Sequence, residues 1–179
     1  MTVVNETALN NFLQEIQLSA FRMAQVAVSG RGRNACREEA LDIVQDAMIK
    51  FVEKYSVKSE RDWRPLFFKT LNSRITDWHR RQKVRSIMQW FGHADEVESV
   101  FAVEQGPELQ HHQQSALAEL QIAMNQLPLR QQQAVMLRIW EGMSTAEAAT
   151  AMGVSVGSVK THLSRGLASL QQHLGGHWP

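Results

Sequence analysis

Five signals that stop or start helices fall between residues 127 and 155, and they restrict that stretch to short helices joined by tight turns. Leu127-Pro128 separates two helices, because Pro lacks an amide donor and disfavours a helical residue before it. Gly142 and Gly153 each stand where a left-handed residue closes a helix. Ser144-Thr145-Ala146-Glu147 has the form of a capping box, in which the Ser oxygen and the Glu carboxylate satisfy orphan amides at a helix start. Ser155 can cap the helix that follows. This punctuation predicts four helices over 115–126, 129–141, 144–152 and 155–174.

The last two form a helix-turn-helix candidate, with Ala146, Ala149 and Met152 small enough or flexible enough for close crossing and a turn at Gly153-Val154. On the second of them Val156, Val159, Leu163, Leu167 and Leu170 are expected to face inward. Ser155 at the cap, then Ser158, Lys160, Thr161, His162, Ser164 and Arg165, are left for the outer side. Short hydroxyls with Lys and Arg near a helix N-terminus suit the acceptors and phosphates of a DNA major groove. The plainer alternative, a helical hairpin with a solvated polar face, explains the composition but not the three boundaries in this order.

Helical spacing continues upstream, and no stretch alternates with period two, so the fold class is all-α. Over 38–55, Leu41, Val44, Met48, Phe51 and Tyr55 mark a buried face, opposite a strip of Asp42, Gln45, Asp46 and Ile49. Such a strip is either solvated or a docking surface, and the apolar Ile49 favours docking. After a polar break over 58–63, Pro65, Phe67, Leu71, Ile75 and Trp78 mark another amphipathic helix. Its outer faces carry Lys69, Arg80 and Lys83 near one line and Arg74 and Arg81 near another, with Asp77 placed to pair with Arg81. Phe67 and Trp78 share the apolar stripe and are expected in the core, which leaves Trp63 and Phe68 as the aromatic candidates for contact with DNA.

Charge divides the chain more sharply than its net of +1 suggests. Residues 61–85 carry +6, residues 86–128 carry −6 and residues 129–179 carry +2. A basic band, an acidic stretch and a mildly basic module imply two surfaces on a polyanion joined by a segment that avoids it. The acidic, weakly periodic run with Gly106-Pro107 predicts a flexible linker over 92–112, between a helical domain at 1–91 and a second at 113–179.

One Cys, ten Gly and four Pro in 179 residues exclude a disulfide scaffold and a collagen-like chain, and the lone Cys36 fits a reducing compartment. No apolar run is long enough for a bilayer and the first residues lack a basic start followed by an apolar stretch, so membrane insertion is not expected and the location is read as cytoplasmic. No Gly-rich phosphate loop, nucleophile elbow or paired-carboxylate site stands out, so the chain is not read as an enzyme. His111 and His112 are adjacent and diverge, and Gly175-Gly176 separates His173 from His177, so no metal or cofactor is expected either.

Residues 134–166, from Ala-Val-Met-Leu-Arg-Ile-Trp-Glu-Gly-Met-Ser-Thr to Val-Lys-Thr-His-Leu-Ser-Arg-Gly, resemble region 4 of bacterial sigma factors, and Leu127-Pro128 precedes them at the fitting distance. Residues 40–51, Ala-Leu-Asp-Ile-Val-Gln-Asp-Ala-Met-Ile-Lys-Phe, are similar to the polymerase-binding region 2.2, and residues 63–83 to regions 2.3 and 2.4. No counterpart of region 1.1 or region 3 is recognisable, which points to the extracytoplasmic-function (ECF) group. The resemblance implies that Asp42, Gln45, Asp46 and Ile49 dock on the β′ clamp of core RNA polymerase, with the β flap as a second contact. It implies that Trp63, Phe68, Lys69, Arg74, Arg80, Arg81 and Lys83 grip the minus-10 element, with a base-capturing loop at 56–63. Ser155, Ser158, Lys160, Thr161, His162 and Arg165 would read the minus-35 element. Promoter DNA and an anti-sigma factor are the other implied partners, and the acidic linker would follow the polymerase's nucleic-acid channels. Two positions depart from the family pattern: Ser73, where Asn is common, and the Phe67-Phe68 pair. The competing reading is a free-standing helix-turn-helix regulator, which leaves Asp42 to Ile49 and the basic band without a role.

Overall fold

The computed structural model describes residues 6–29, 33–92 and 111–175, and among these every regular element is helical. Three long helices, α1 (Glu6–Val28), α2 (Arg33–Tyr55) and α3 (Glu60–Gly92), make a first bundle. The second contains α4 (His111–Gln126), α5 (Leu129–Val135) running into a π-helical turn (Met136–Trp140), α6 (Thr145–Met152) and α7 (Val156–Leu174). Nearly all of the linker expected over 92–112 lies outside the described residues.

Helix α1, for which no element is expected above, has Leu9, Ile16, Ala20, Met23, Ala24 and Ala27 at helical intervals, and all are buried. On α2 the buried face runs through Ala40, Ile43, Val44, Ala47 and Phe51. Leu41, expected inward, is 40% exposed, because Ala40 and Ala47 let the neighbouring helices approach along a line beside it. Phe12, Phe51, Trp63 and Phe67 converge from the three helices, with ring centroids 5.5 to 6.5 Å apart. Each such pair contributes about 0.5–1.5 kcal/mol beyond its burial, so this knot holds the first bundle together. The Trp63 indole also donates to the Lys58 carbonyl at 3.0 Å, fastening the turn between α2 and α3. That turn spans only 56–59, so the second half of the loop expected over 56–63 is helical.

In the second bundle the helix expected over 129–141 widens at Met136, and the Glu141 amide donates back to the Met136 carbonyl at 3.0 Å. An extra residue in the turn shifts the helix phase by ~100°, leaving Ile139 and Trp140 exposed. Gly142 then reverses the chain at φ 61°. Helix α7 crosses α5 at Gly166, where an added Cβ would stand 2.9 Å from the Val135 side chain, so only glycine permits this approach.

The two bundles are packed together rather than held apart. Helix α6 lies against α3, and α4 touches α1.

Candidate nucleic-acid interface

The punctuation read from the sequence builds the helix-turn-helix. Ser144 caps α6 with both halves of the capping box formed, Gly153 closes it at φ 64°, and Ser155 caps α7 by accepting from the Ser158 amide at 3.1 Å. Hydrogen bonds from Ser144 hold the Glu147 carboxyl below its ordinary value. On α7, Val159, Gly166 and Leu170 are buried and Leu163 and Leu167 half-buried. Val156, expected inward, is exposed because the chain has only just entered the helix there. Ala146, expected at the crossing, is also exposed, and Ala148 takes its place in the core.

Of the six residues expected to read DNA from α7, Ser155, Lys160, Thr161 and Arg165 are exposed and Ser158 and His162 half-buried. Ser158, Thr161 and Arg165 fall on one line of the helix. The hydroxyls are oriented locally: Ser155 and Ser158 share a bond of 2.9 Å, and Thr161 donates to the Gly157 carbonyl at 3.1 Å. This face offers fixed hydroxyl oxygens flanked by two cations, a donor set suited to base edges and phosphates.

Helix α3 is less open. Lys69, Arg80, Arg81 and Lys83 are exposed, as a phosphate-gripping band requires. Arg74 is half-buried and committed: it reaches Asp46 at 3.3 Å and Asp77 at 3.8 Å. Asp77 therefore serves Arg74 rather than Arg81, whose guanidinium donates to the Asp77 backbone carbonyl at 3.4 Å. Trp63 and Phe68, expected to meet DNA bases, are 3% and 0% exposed. Trp63 is locked in the aromatic knot, and Phe68 lies one turn before Asn72 on the face covered by α6. Phe67 is fully buried as expected, while Trp78 is half-buried with its ring edge-on to His79. Burial holds the His79 imidazole below its ordinary value, partly offset by a hydrogen bond with the Ala27 backbone.

The strip on α2 is exposed at Asp42, Gln45 and Ile49 and half-buried at Asp46. With Leu41 also outward, Leu41, Gln45 and Ile49 form a partly apolar line beside the two acids. A cleft of about 400 Å³ separates this strip from the basic band, with Asp42, Asp46, Arg74 and Arg81 among its walls.

Polar residues that carry no signal in the sequence join the bundles, among them Arg64, Asn72 and Glu141. Arg64 donates to Glu141 at 2.7 Å and to Glu15 at 3.3 Å, and Ser19 donates to the other Glu141 oxygen. The Glu141 side chain is 7% exposed, and burial raises its carboxyl pKa by more than the Arg64 guanidinium lowers it. No local signal marks such residues, because their partners in the other bundle lie 77 positions or more away in the chain.

Among the described residues no group of three His, Cys, Asp or Glu could hold a metal ion, and no helix is long and apolar enough to cross a membrane. His173 rests its Nδ1 against the Ser169 carbonyl at 2.7 Å, whereas the side chains of His111, His112 and His177 lie outside the described residues.

Residues 117–170 match the family described as Sigma-70, region 4. The chain is 31% identical over 138 residues to the RNA polymerase sigma-E factor of Streptomyces antibioticus, covering 76% of this chain and 71% of that one. It is 28% identical to the RNA polymerase sigma factor SigV of Bacillus subtilis, over 77% of each chain. Against the ECF RNA polymerase sigma factor SigE of Mycolicibacterium smegmatis the identity is 26%, over 97% of this chain and 65% of that one. Among solved structures it is similar in fold to the sigma factor RpoE of Bartonella quintana, determined with the anti-sigma factor NepR. The TM-score is 0.59 and the identity 24%, covering 94% of this chain and 99% of that one. With the helix-turn-helix and the basic band in place, the chain belongs to the ECF group of the sigma-70 RNA polymerase sigma factors, which bind core polymerase and give it promoter specificity.

Proposed function

We propose that the chain divides its promoter work between residues 1–91, which dock on polymerase and grip the minus-10 element, and residues 113–179, which read the minus-35 element, with 92–112 as the linker. Ser155, Ser158, Lys160, Thr161, His162 and Arg165 form the minus-35 surface. The observation that carries this reading is the α7 face, capped by its own Ser155 and exposed at Ser155, Lys160, Thr161 and Arg165. Lys69, Arg74, Arg80, Arg81 and Lys83 hold minus-10 phosphates, Arg74 once released from Asp46. Trp63 and Phe68 are left out of that set because both rings are buried. Asp42, Gln45, Asp46 and Ile49 meet the β′ clamp, where the apolar Ile49 gains by burial and the acids by pairing with cations. The β flap is the second polymerase contact.

The chain works in the cytoplasm, where polymerase is, and performs no chemistry of its own. An anti-sigma factor controls it, a partner supported by the fold shared with the RpoE of the RpoE–NepR complex. The operator-binding regulator is not favoured, since it leaves the α2 strip idle.

Run-off transcription with core polymerase on a promoter library tests the whole reading: selective transcripts are expected, and their absence from every promoter would overturn it. Charge reversal at Asp46 is expected to weaken capture of core polymerase without loss of helicity. Unchanged capture would remove that docking assignment.

A further inference from the structure

A glycine inside a helix costs stability, so each one in α7 needs a physical reason. Three are available: a left-handed backbone, a neighbour within the protein that leaves no room for a Cβ, or a ligand that comes up to the main chain. Gly166 has the second, since its Cβ would stand 2.9 Å from the Val135 side chain. Gly157, in the first turn of the same helix, has neither of the first two. It does not share the positive φ of Gly142, Gly153 and Gly175. Among the described residues a Cβ added to it would meet only the Ser155 Oγ, at 3.9 Å, which is ordinary contact, and the position is exposed. The fold would accept alanine here and gain from it, because alanine has less freedom to lose on folding. That leaves the third reason.

The surroundings of this bare stretch of main chain fit one kind of ligand. Lys160 and Thr161, three and four residues on, share its face of the helix and are exposed. The Thr161 hydroxyl donates to the Gly157 carbonyl at 3.1 Å, which fixes that side chain beside the gap. The Ser155 Oγ accepts from the Ser158 amide at 3.1 Å and shares a bond of 2.9 Å with the Ser158 hydroxyl. With Ser158 as donor in that bond, both lone pairs of the Ser155 oxygen are filled and its own proton is left to give. A hydroxyl proton and an ammonium beside uncovered main chain suit an anionic acceptor. A base edge suits the place less well, because reading one takes a side chain and Gly157 has none, whereas a phosphodiester is held without regard to sequence.

We infer that Gly157 is the point at which a backbone phosphate of the minus-35 duplex rests against α7, held by Lys160 and the Ser155 hydroxyl, and that the missing side chain sets how deeply the helix enters the groove. This rests on the minus-35 reading of α7 above. A Cβ at 157 would lift the first turn from the strand, and the neighbouring Ser158 and Thr161 hydroxyls with it.

The test uses the full-length chain as wild type, Gly157→Ala, Gly157→Leu and Arg165→Ala, each assembled with core polymerase and titrated over a range of salt on a promoter that the wild-type holoenzyme selects. Thermal melts of the four free chains run alongside. Gly157→Ala is expected to melt about 2 °C higher than wild type and yet to bind the promoter about tenfold more weakly, the loss of one charge-assisted contact. Its salt slope should fall by about 1, and Gly157→Leu should bind more weakly still. Weaker binding without loss of stability separates a lost contact from a damaged fold. The inference is overturned if Gly157→Ala binds as wild type does, if it melts lower than wild type, or if affinity falls with the salt slope unchanged. Two controls isolate the reading beneath it: Arg165→Ala, and the wild type on a promoter with a scrambled minus-35 element. If neither control weakens binding, the minus-35 reading has failed and Gly157 with it. If both weaken binding and Gly157→Ala does not, only the role of Gly157 falls.

Discussion

Helices α7 and α3 carry the two sets of candidate DNA contacts, and they differ in how many neighbours each must satisfy. Helix α7 packs its inner line, Val159, Gly166 and Leu170, onto its own bundle and leaves Lys160, Thr161 and Arg165 to solvent. Helix α3 is gripped from two directions, by α1 and α2 through Phe67, Leu71 and the aromatic knot, and by α6 at Asn72. A helix with one buried face can be read from periodicity alone. A helix with two leaves polar residues inside and aromatic residues covered, and its free surface depends on which neighbours are present.

The largest test of that contrast removes a side chain from the knot. Phe51→Ala is expected to destabilise the first bundle by about 3–5 kcal/mol in thermal or denaturant melts while leaving the second bundle's helicity in place. Joint loss of both bundles in one transition would show that the interface couples them more tightly than their separate cores suggest. Next in size, Gly166→Ala forces a Cβ against Val135 and the Gln131 carbonyl, with an expected cost of about 1–3 kcal/mol confined to the second bundle. A third experiment compares exposed cations on the two helices. Arg165→Ala on α7 and Arg80→Ala on α3 should each reduce the salt slope of promoter binding by about 1, with melting temperatures unchanged. An unchanged slope for either removes that residue from the DNA surface.

Acidity gives the smallest effect and runs in opposite directions in two places. The Glu147 carboxyl is held below its ordinary value, so the stability it lends the start of α6 is present above that value and lost as pH falls through the lowered one. Glu141, facing Arg64, Glu15 and Ser19, is raised, so its contribution to the packed arrangement is fullest in acid and is lost as pH rises through the raised value. Amide exchange at the first turn of α6 and scattering of the whole chain, followed together over the carboxylate range, should move oppositely. Movement in the same direction would contradict one of the two assignments.

The second bundle was legible because its signals are local. Ser144, Gly153 and Ser155 act within four residues of themselves, and the helices they delimit fall where they point. The π turn was not legible, since Met136 to Trp140 reads as ordinary helix and widens only as the chain meets Gly142 and the first bundle. Helix α1 is written plainly in the intervals between Leu9, Ile16, Ala20, Met23 and Ala27. The burial of Trp63 and Phe68 is not legible for a different reason: an aromatic residue beside a basic band suits a DNA contact and a core equally, and composition does not distinguish them.

By itself the sequence determined where α6 and α7 begin and end, that two basic segments flank an acidic stretch, and that α7 carries hydroxyls and cations on one side. Those properties rest on backbone capping and side-chain period, which operate over a few residues. Only the tertiary structure decided that Asn72 caps a helix of the other bundle, that Arg64 reaches Glu141, and that Arg74 spends its charge on Asp46. Each of those depends on two distant surfaces meeting, and the free energy of that meeting belongs to the pair rather than to either segment of chain.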